Sequence, residues 1–277
     1  MPYFKTTAAP ATDIYFEDSG GSGQTVVLIH GWPLSLRSWE HQVNALTAAG
    51  YRVVAYDRRG FGQSGKATGG YDYDTMASDL NDLLNELNLS NVVLVGFSMG
   101  GGEVARYVGR YGQGRVAKAV FMSSVTPYLL KTDDNPSGGM GESDVQQMVD
   151  QVTKDRINFL HDFTPKFYKG GVFSAKASDD VIAFTKWLAW HASPLATQRC
   201  VVAFGTTDFR GDLAKFTVPT IFIHGDDDQV VPIDASARRA TELVPGSRLE
   251  VISGGPHGLN ETHADEANRV LLDFLKG

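Results

Sequence analysis

Five short runs of this chain are almost uninterruptedly apolar and rich in β-branched residues: Thr25–His30, Tyr51–Tyr56, Asn91–Gly96, Ala117–Ser124 and Val218–Gly225. A strand with one wet face alternates apolar and polar residues, so runs this continuous predict strands covered on both faces by helices, as in a parallel sheet. A sixth run, Ser247–Ser253, also reads as a strand. Between the runs lie segments with apolar residues at helical spacing, 35–50, 73–89, 99–112 and 234–244, with glycine stops at Gly50 and Gly112. A further helical segment covers 260–276. The alternation predicts an α/β fold with a mostly parallel central sheet and helices on both faces.

The alternation fails once. From 127 to 212 no strand pattern occurs; a loop, KTDDNPSGGMGES, is followed by helical segments rich in Phe and Trp. This block reads as a helical cap inserted into one α/β core formed by 1–126 and 213–277. It would lie over the carboxyl edge of the sheet, where open α/β folds bind ligands.

Composition narrows the function classes. The 277 residues are 42% hydrophobic and 21% charged, ample for one large core, and the net charge of −7 with dispersed basic residues argues against a nucleic-acid partner. The single cysteine, Cys200, cannot form an internal disulfide, which fits a reducing compartment. No window has the apolar length needed to span a bilayer, and the first residues lack the pattern of a secretory signal. The expectation is a soluble, cytoplasmic protein with no membrane contact.

The chemistry concentrates at Gly96-Phe97-Ser98-Met99-Gly100. A Gly-x-Ser-x-Gly pattern that leaves a strand and opens a helix is the setting in which a serine sits on a tight turn at a helix N-terminus. There the Met99 N–H and the helix dipole can stabilise an oxyanion. A serine hydroxyl is a weak nucleophile at neutral pH and needs a base that is itself oriented by a carboxylate. Of the seven histidines, His257 in SGGPHGLNETH is best placed, on a glycine-rich loop after the last strand. Asp226, Asp227 and Asp228 compete for the acid after the Val218–Gly225 strand. Asp228 is favoured because the chain then turns through QVVP into a helix, with Asp226 as the alternative. The second oxyanion donor is expected from the HGWP loop at Trp32, whose neighbour Pro33 has no N–H but can offer a carbonyl.

Two other patterns lead nowhere. Gly60–Gly65 fits G-x-G-x-x-G but does not occupy the first strand-to-helix turn that dinucleotide binding requires. The Asp226–Asp228 run lacks the glycine and glutamate of a calcium loop, and no Cys/His group has zinc spacing. No metal or cofactor is expected.

HGWP, YDRRGFGQSG, VGFSMGGGEVARY, TDFRGDL, HGDDDQVVP and PHGLNETHADE together resemble the α/β-hydrolase fold, and within it the cofactor-free haloperoxidases, also described as perhydrolases and aryl esterases. The likeness runs over the whole chain and is weakest in the cap. It implies Ser98 as nucleophile, His257 as base, Asp228 as orienting acid and the Trp32 and Met99 amides as oxyanion donors. It also implies hydrolysis of small esters through an acyl-enzyme, with peracid formed when hydrogen peroxide replaces water, and self-association into a homo-oligomer. Reactants would be an ester or lactam, hydrogen peroxide and a short carboxylic acid. Amide hydrolysis of a γ-lactam and C–C bond hydrolysis use the same triad, and a binding protein on the same scaffold is the alternative outside enzymes. Haloalkane dehalogenases and epoxide hydrolases need an aspartate where this chain has Ser98. An apolar acyl pocket is expected from Pro33, Phe97, Val125, Phe163 and Trp187, the last within a Phe184, Trp187, Trp190 stripe at helical spacing.

Overall fold

A computed structural model describes residues 2–169 and 177–277. Its strands are β1 (Tyr3–Lys5), β2 (Asp13–Asp18), β3 (Thr25–Ile29), β4 (Arg52–Tyr56), β5 (Val92–Phe97), β6 (Val116–Met122), β7 (Thr220–Gly225) and β8 (Arg248–Ile252). They form one sheet in the order β1-β2-β4-β3-β5-β6-β7-β8, with β1 and β2 antiparallel and the rest parallel. The two N-terminal strands are not foreshadowed by the sequence pattern, because they form the half-exposed edge and carry no continuous apolar run.

Alternate side chains of each central strand feed opposite layers, as the two-residue strand period demands. Val26, Leu28, Val93 and Val95 point to one face, where they meet Leu46 of α1 (Glu40–Ala48) and a C-terminal helix, Ala264–Lys276. That helix buries Val270, Leu271, Phe274 and Leu275, one apolar stripe. Val27, Ile29, Val92 and Leu94 point the other way, against α2 (Tyr73–Glu86) and α3 (Met99–Tyr111).

The strand-free block contains α4 (Glu142–Phe163), a 3₁₀ turn at Thr164–Tyr168, α5 (Asp179–Trp190) and α6 (Pro194–Thr206). A short helix, Arg210–Leu213, leads back to β7. Helix α4 breaks at Asp155 (φ −154°, ψ 81°). The Asp155 carboxylate accepts from Asn158 N–H at 3.0 Å, so it caps the second half of the helix as a new N-terminus. Helices α4 and α6 pack together, and α6 buries Cys200, Val201 and Phe204. Among the described residues no helix is long and apolar enough to cross a membrane.

Candidate active site

Ser98 stands between the end of β5 and the start of α3 with φ 53° and ψ −118°. A non-glycine residue held there costs about 1–3 kcal/mol, which the surroundings must supply. They do so through backbone bonds: Ser98 N–H donates to Met122 C=O at 2.9 Å, and Ser98 C=O accepts from Gly101 N–H at 3.0 Å and Val125 N–H at 3.3 Å. The flanking glycines are steric necessities. A Cβ on Gly96 would meet the Gly100 carbonyl oxygen at 2.4 Å, and one on Gly100 would meet that of Ile29 at 2.2 Å.

His257 follows β8 and brings Nε2 to 2.9 Å from Ser98 Oγ, with Nδ1 2.7 Å from Asp228 Oδ2. A carboxylate only accepts, so Nδ1 carries the proton and Nε2 is free to take one from the serine hydroxyl. The imidazole is wedged between Phe97 (ring centres 5.2 Å apart) and Phe167 (5.1 Å). The next residue, Gly258, donates its N–H to Phe167 C=O at 2.7 Å. Asp228 Oδ1 accepts from Val230 and Val231 N–H at 2.9 and 2.8 Å, and Oδ2 also lies 3.2 Å from His224 Nε2. Burial alone would push the Asp228 carboxyl up, but electrostatic attraction to His257 and His224 and the hydrogen bonds they donate outweigh it and hold the group well below the usual carboxylate range. The competing Asp226 instead braces the histidine loop, accepting from Gly254 N–H at 2.6 Å.

Ser98 opens on a cavity of about 220 Å³ whose walls include Trp32, Met99, Val125, Phe163 and Phe167. Leu129, Met140, Met148 and Phe204 also line it, as do the polar Lys166 and Gln229; nothing in their sequence spacing had singled them out. The Trp32 indole is fixed by Nε1–H donating to Thr197 C=O at 3.1 Å and by an edge-on contact with Phe163 at 5.5 Å. Gly31 lies hard against the serine: a Cβ there would come within 3.1 Å of Ser98 Cβ.

Three expected pocket residues sit elsewhere. Trp187 is half-exposed, stacks on Phe184 and borders a separate depression with Arg37, Glu40 and His191. Helix α5 turns Thr185, Leu188 and Ala189 inward, so its aromatic stripe faces out. Phe97 is buried behind His257 and supports its imidazole without lining the cavity. Pro33 is buried, joined to Trp32 by a cis peptide bond, and does not border the cavity. The Gly60–Gly65 loop closes on itself and around Asp57, whose carboxylate accepts from Gln63 N–H at 2.7 Å and Leu36 N–H at 2.8 Å.

The family model described as the alpha/beta hydrolase fold matches residues 24–264. A non-heme chloroperoxidase of Kitasatospora aureofaciens is 43% identical over 97% of this chain and 98% of its own. A bifunctional esterase/perhydrolase of Acinetobacter calcoaceticus is 38% identical over 98% of each. The crystal structure of a bromoperoxidase from Bacillus anthracis superposes with a TM-score of 0.94 at 49% identity, covering 99% of this chain and 100% of that one. An eight-stranded sheet, a serine elbow and similarity over the full length thus agree, and the chain belongs to the α/β-hydrolase family, among its non-heme haloperoxidases.

Proposed function

We propose that this enzyme hydrolyses small carboxylic esters through an acyl-enzyme on Ser98, and forms peracids when hydrogen peroxide takes the place of water. The observation that carries the reading is the unbroken line from Asp228 through His257 to Ser98, at 2.7 and 2.9 Å, ending in an apolar cavity. Relatives named for esterase, perhydrolase and haloperoxidase activities support it.

Ser98 Oγ attacks the ester carbonyl as its proton passes to His257 Nε2. The carbonyl oxygen gains the negative charge within reach of the Trp32 and Met99 N–H groups, and Asp228 stabilises the imidazolium. His257 then gives the proton to the departing alkoxide, leaving Ser98 acylated. Water or peroxide loses a proton to His257, attacks the acyl carbon and expels Ser98 Oγ, which recovers that proton. The product is a carboxylic acid or a peracid, and the peracid oxidises halide away from the protein. Run in reverse from a short carboxylic acid, the hydrolytic second half-reaction forms the same acyl-enzyme and releases water.

The volume of about 220 Å³ favours short acyl groups. The helices between β6 and β7 act in this reading as a cap, since Met148, Phe163 and Phe204 contribute cavity wall. Self-association in the cytoplasm completes the proposal, supported by the exposed Trp187 and Trp190 and by the lone buried Cys200. The test pairs wild type with Ser98→Ala in p-nitrophenyl acetate hydrolysis and in peracetic acid formation from acetate and peroxide. Both activities are expected to collapse together, with a phosphonate probe labelling only the wild type; either activity surviving in the variant overturns the assignment.

A further inference from the structure

We propose that His30 is the positioning residue of the oxyanion hole: its imidazole holds the plane of the Gly31–Trp32 peptide so that Trp32 N–H faces the developing oxyanion. The inference rests on the esterase reading above.

His30 directly follows β3, and its Nδ1 lies 2.8 Å from Gly31 C=O. The same carbonyl accepts from Leu34 N–H at 3.0 Å. A trans peptide is planar, with its carbonyl and the following N–H pointing in opposite directions. Fixing Gly31 C=O toward His30 therefore fixes Trp32 N–H toward the other side. That side is the serine's, because Gly31 abuts Ser98 and Trp32 walls the same cavity. Trp32 N–H makes no hydrogen bond among the described residues, as a donor reserved for substrate requires.

The proton on His30 has only one place to be. Arg58 N–H donates to His30 Nε2 at 3.0 Å, so Nε2 is the acceptor and Nδ1–H the donor. Burial and the neighbouring Arg58 charge push the His30 pKa well down, keeping the ring neutral and this tautomer in place. Arg58 is locked in turn: its Nη2 donates to His30 C=O at 2.9 Å and its Nε to Glu103 Oε2 at 2.8 Å. Tyr56 donates its hydroxyl to the other Glu103 oxygen. All four side chains are buried. Glu103 sits on α3, whose first residue, Met99, supplies the other proposed N–H. One buried network thus ties both donors of the hole into a single rigid unit, although neither His30 nor Arg58 touches the reacting atoms.

Two variants of similar polarity give opposite expectations. In His30→Asn the side-chain amide can occupy the Nδ1 position and still donate to Gly31 C=O; in His30→Gln the longer chain carries its polar end toward the Nε2 position. With p-nitrophenyl acetate, His30→Gln is expected to lose on the order of 10- to 100-fold in kcat with KM nearly unchanged, and about the same factor in affinity for a trifluoromethyl ketone that forms a tetrahedral adduct. His30→Asn is expected to stay within about threefold of wild type. Equal behaviour of the two, or losses in KM alone, would overturn the inference. An independent readout needs no variant. When the ketone adduct engages Trp32 N–H, the polarised Gly31 carbonyl accepts more strongly and the His30 Nδ1 proton resonance should move downfield; an unmoved resonance overturns the inference as well. If wild type lacks esterase turnover, the proposed function fails; if wild type turns over and these contrasts are absent, only the role of His30 fails.

Discussion

Adding a single methyl group at Gly100 tests how the elbow works. The Cβ of Gly100→Ala would lie 2.2 Å from the Ile29 carbonyl oxygen, 2.9 Å from its carbon and 3.0 Å from the His30 carbonyl oxygen, whereas ordinary contact begins at 3.4 Å. Relief requires about 1 Å of movement. Strand β3 cannot supply it, being paired with β4 on one side and β5 on the other. Helix α3 must therefore retreat, taking Met99 N–H away from the Gly31–Trp32 peptide. Misplacing one proposed oxyanion donor by that distance is expected to reduce kcat about 100-fold or more, and overpacking is expected to cost about 1–3 kcal/mol of stability. Gly211 is the matched control, since a Cβ there meets nothing within 4 Å. Gly211→Ala should keep full activity and gain up to about 1 kcal/mol from helix propensity. Turnover of p-nitrophenyl acetate and urea midpoints measure both effects. A Gly100→Ala enzyme within threefold of wild type, with an unchanged midpoint, would refute the steric reasoning.

Other consequences follow from buried groups. Asp228→Asn should lower kcat about 10³- to 10⁴-fold by removing the anion that sets the His257 tautomer. Because the folded Asp228 pKa is depressed, its stabilising contribution is complete above the unfolded value near ~4 and is lost as pH falls through the lower folded value. The gap in urea midpoint between wild type and Asp228→Asn should therefore be full at pH 7 and narrow progressively below about pH 4; a gap that widens with acid contradicts the assignment. Cys200 is fully buried and its thiol is pushed up to about 12 by desolvation. An aromatic disulfide reagent at pH 8 should leave the native thiol untouched and titrate it only after unfolding. Arg59 and Asp79 form a buried bidentate pair, both bonds 2.6 Å. Asp79→Ala strands the guanidinium and should cost about 3–5 kcal/mol in denaturant titrations.

The sheet was legible wherever strands are covered on both faces, because Val92–Phe97 or Thr220–Gly225 can hardly be read otherwise. Strands β1 and β2 escaped notice since short strands of mixed burial, at and next to the sheet edge, leave no comparable signature. Ser98, His257 and Asp228 each stand in a loop just beyond a strand end, a relation that topology preserves although serine and histidine are 159 positions apart in sequence. Orientation within helices was another matter. Spacing places Phe184 and Trp187 on one side of α5 but cannot say which side faces the protein. The contacts of His30 were hidden for a similar reason, as its partner Arg58, and Glu103 that holds Arg58 in turn, are distant in sequence.

The slot that grips His257 has walls from different parts of the chain: Phe97 belongs to the sheet, while Phe167 lies in the helical stretch between β6 and β7. The placement of this imidazole is therefore a joint property of two segments that otherwise look separable. Exchanging the helical stretch between β6 and β7 among relatives would also exchange half of the imidazole's mounting. Such chimeras should show altered turnover even on substrates too small to touch the grafted helices. Transplants that retain the 164–168 turn with its host core should fare better than those that cut through it.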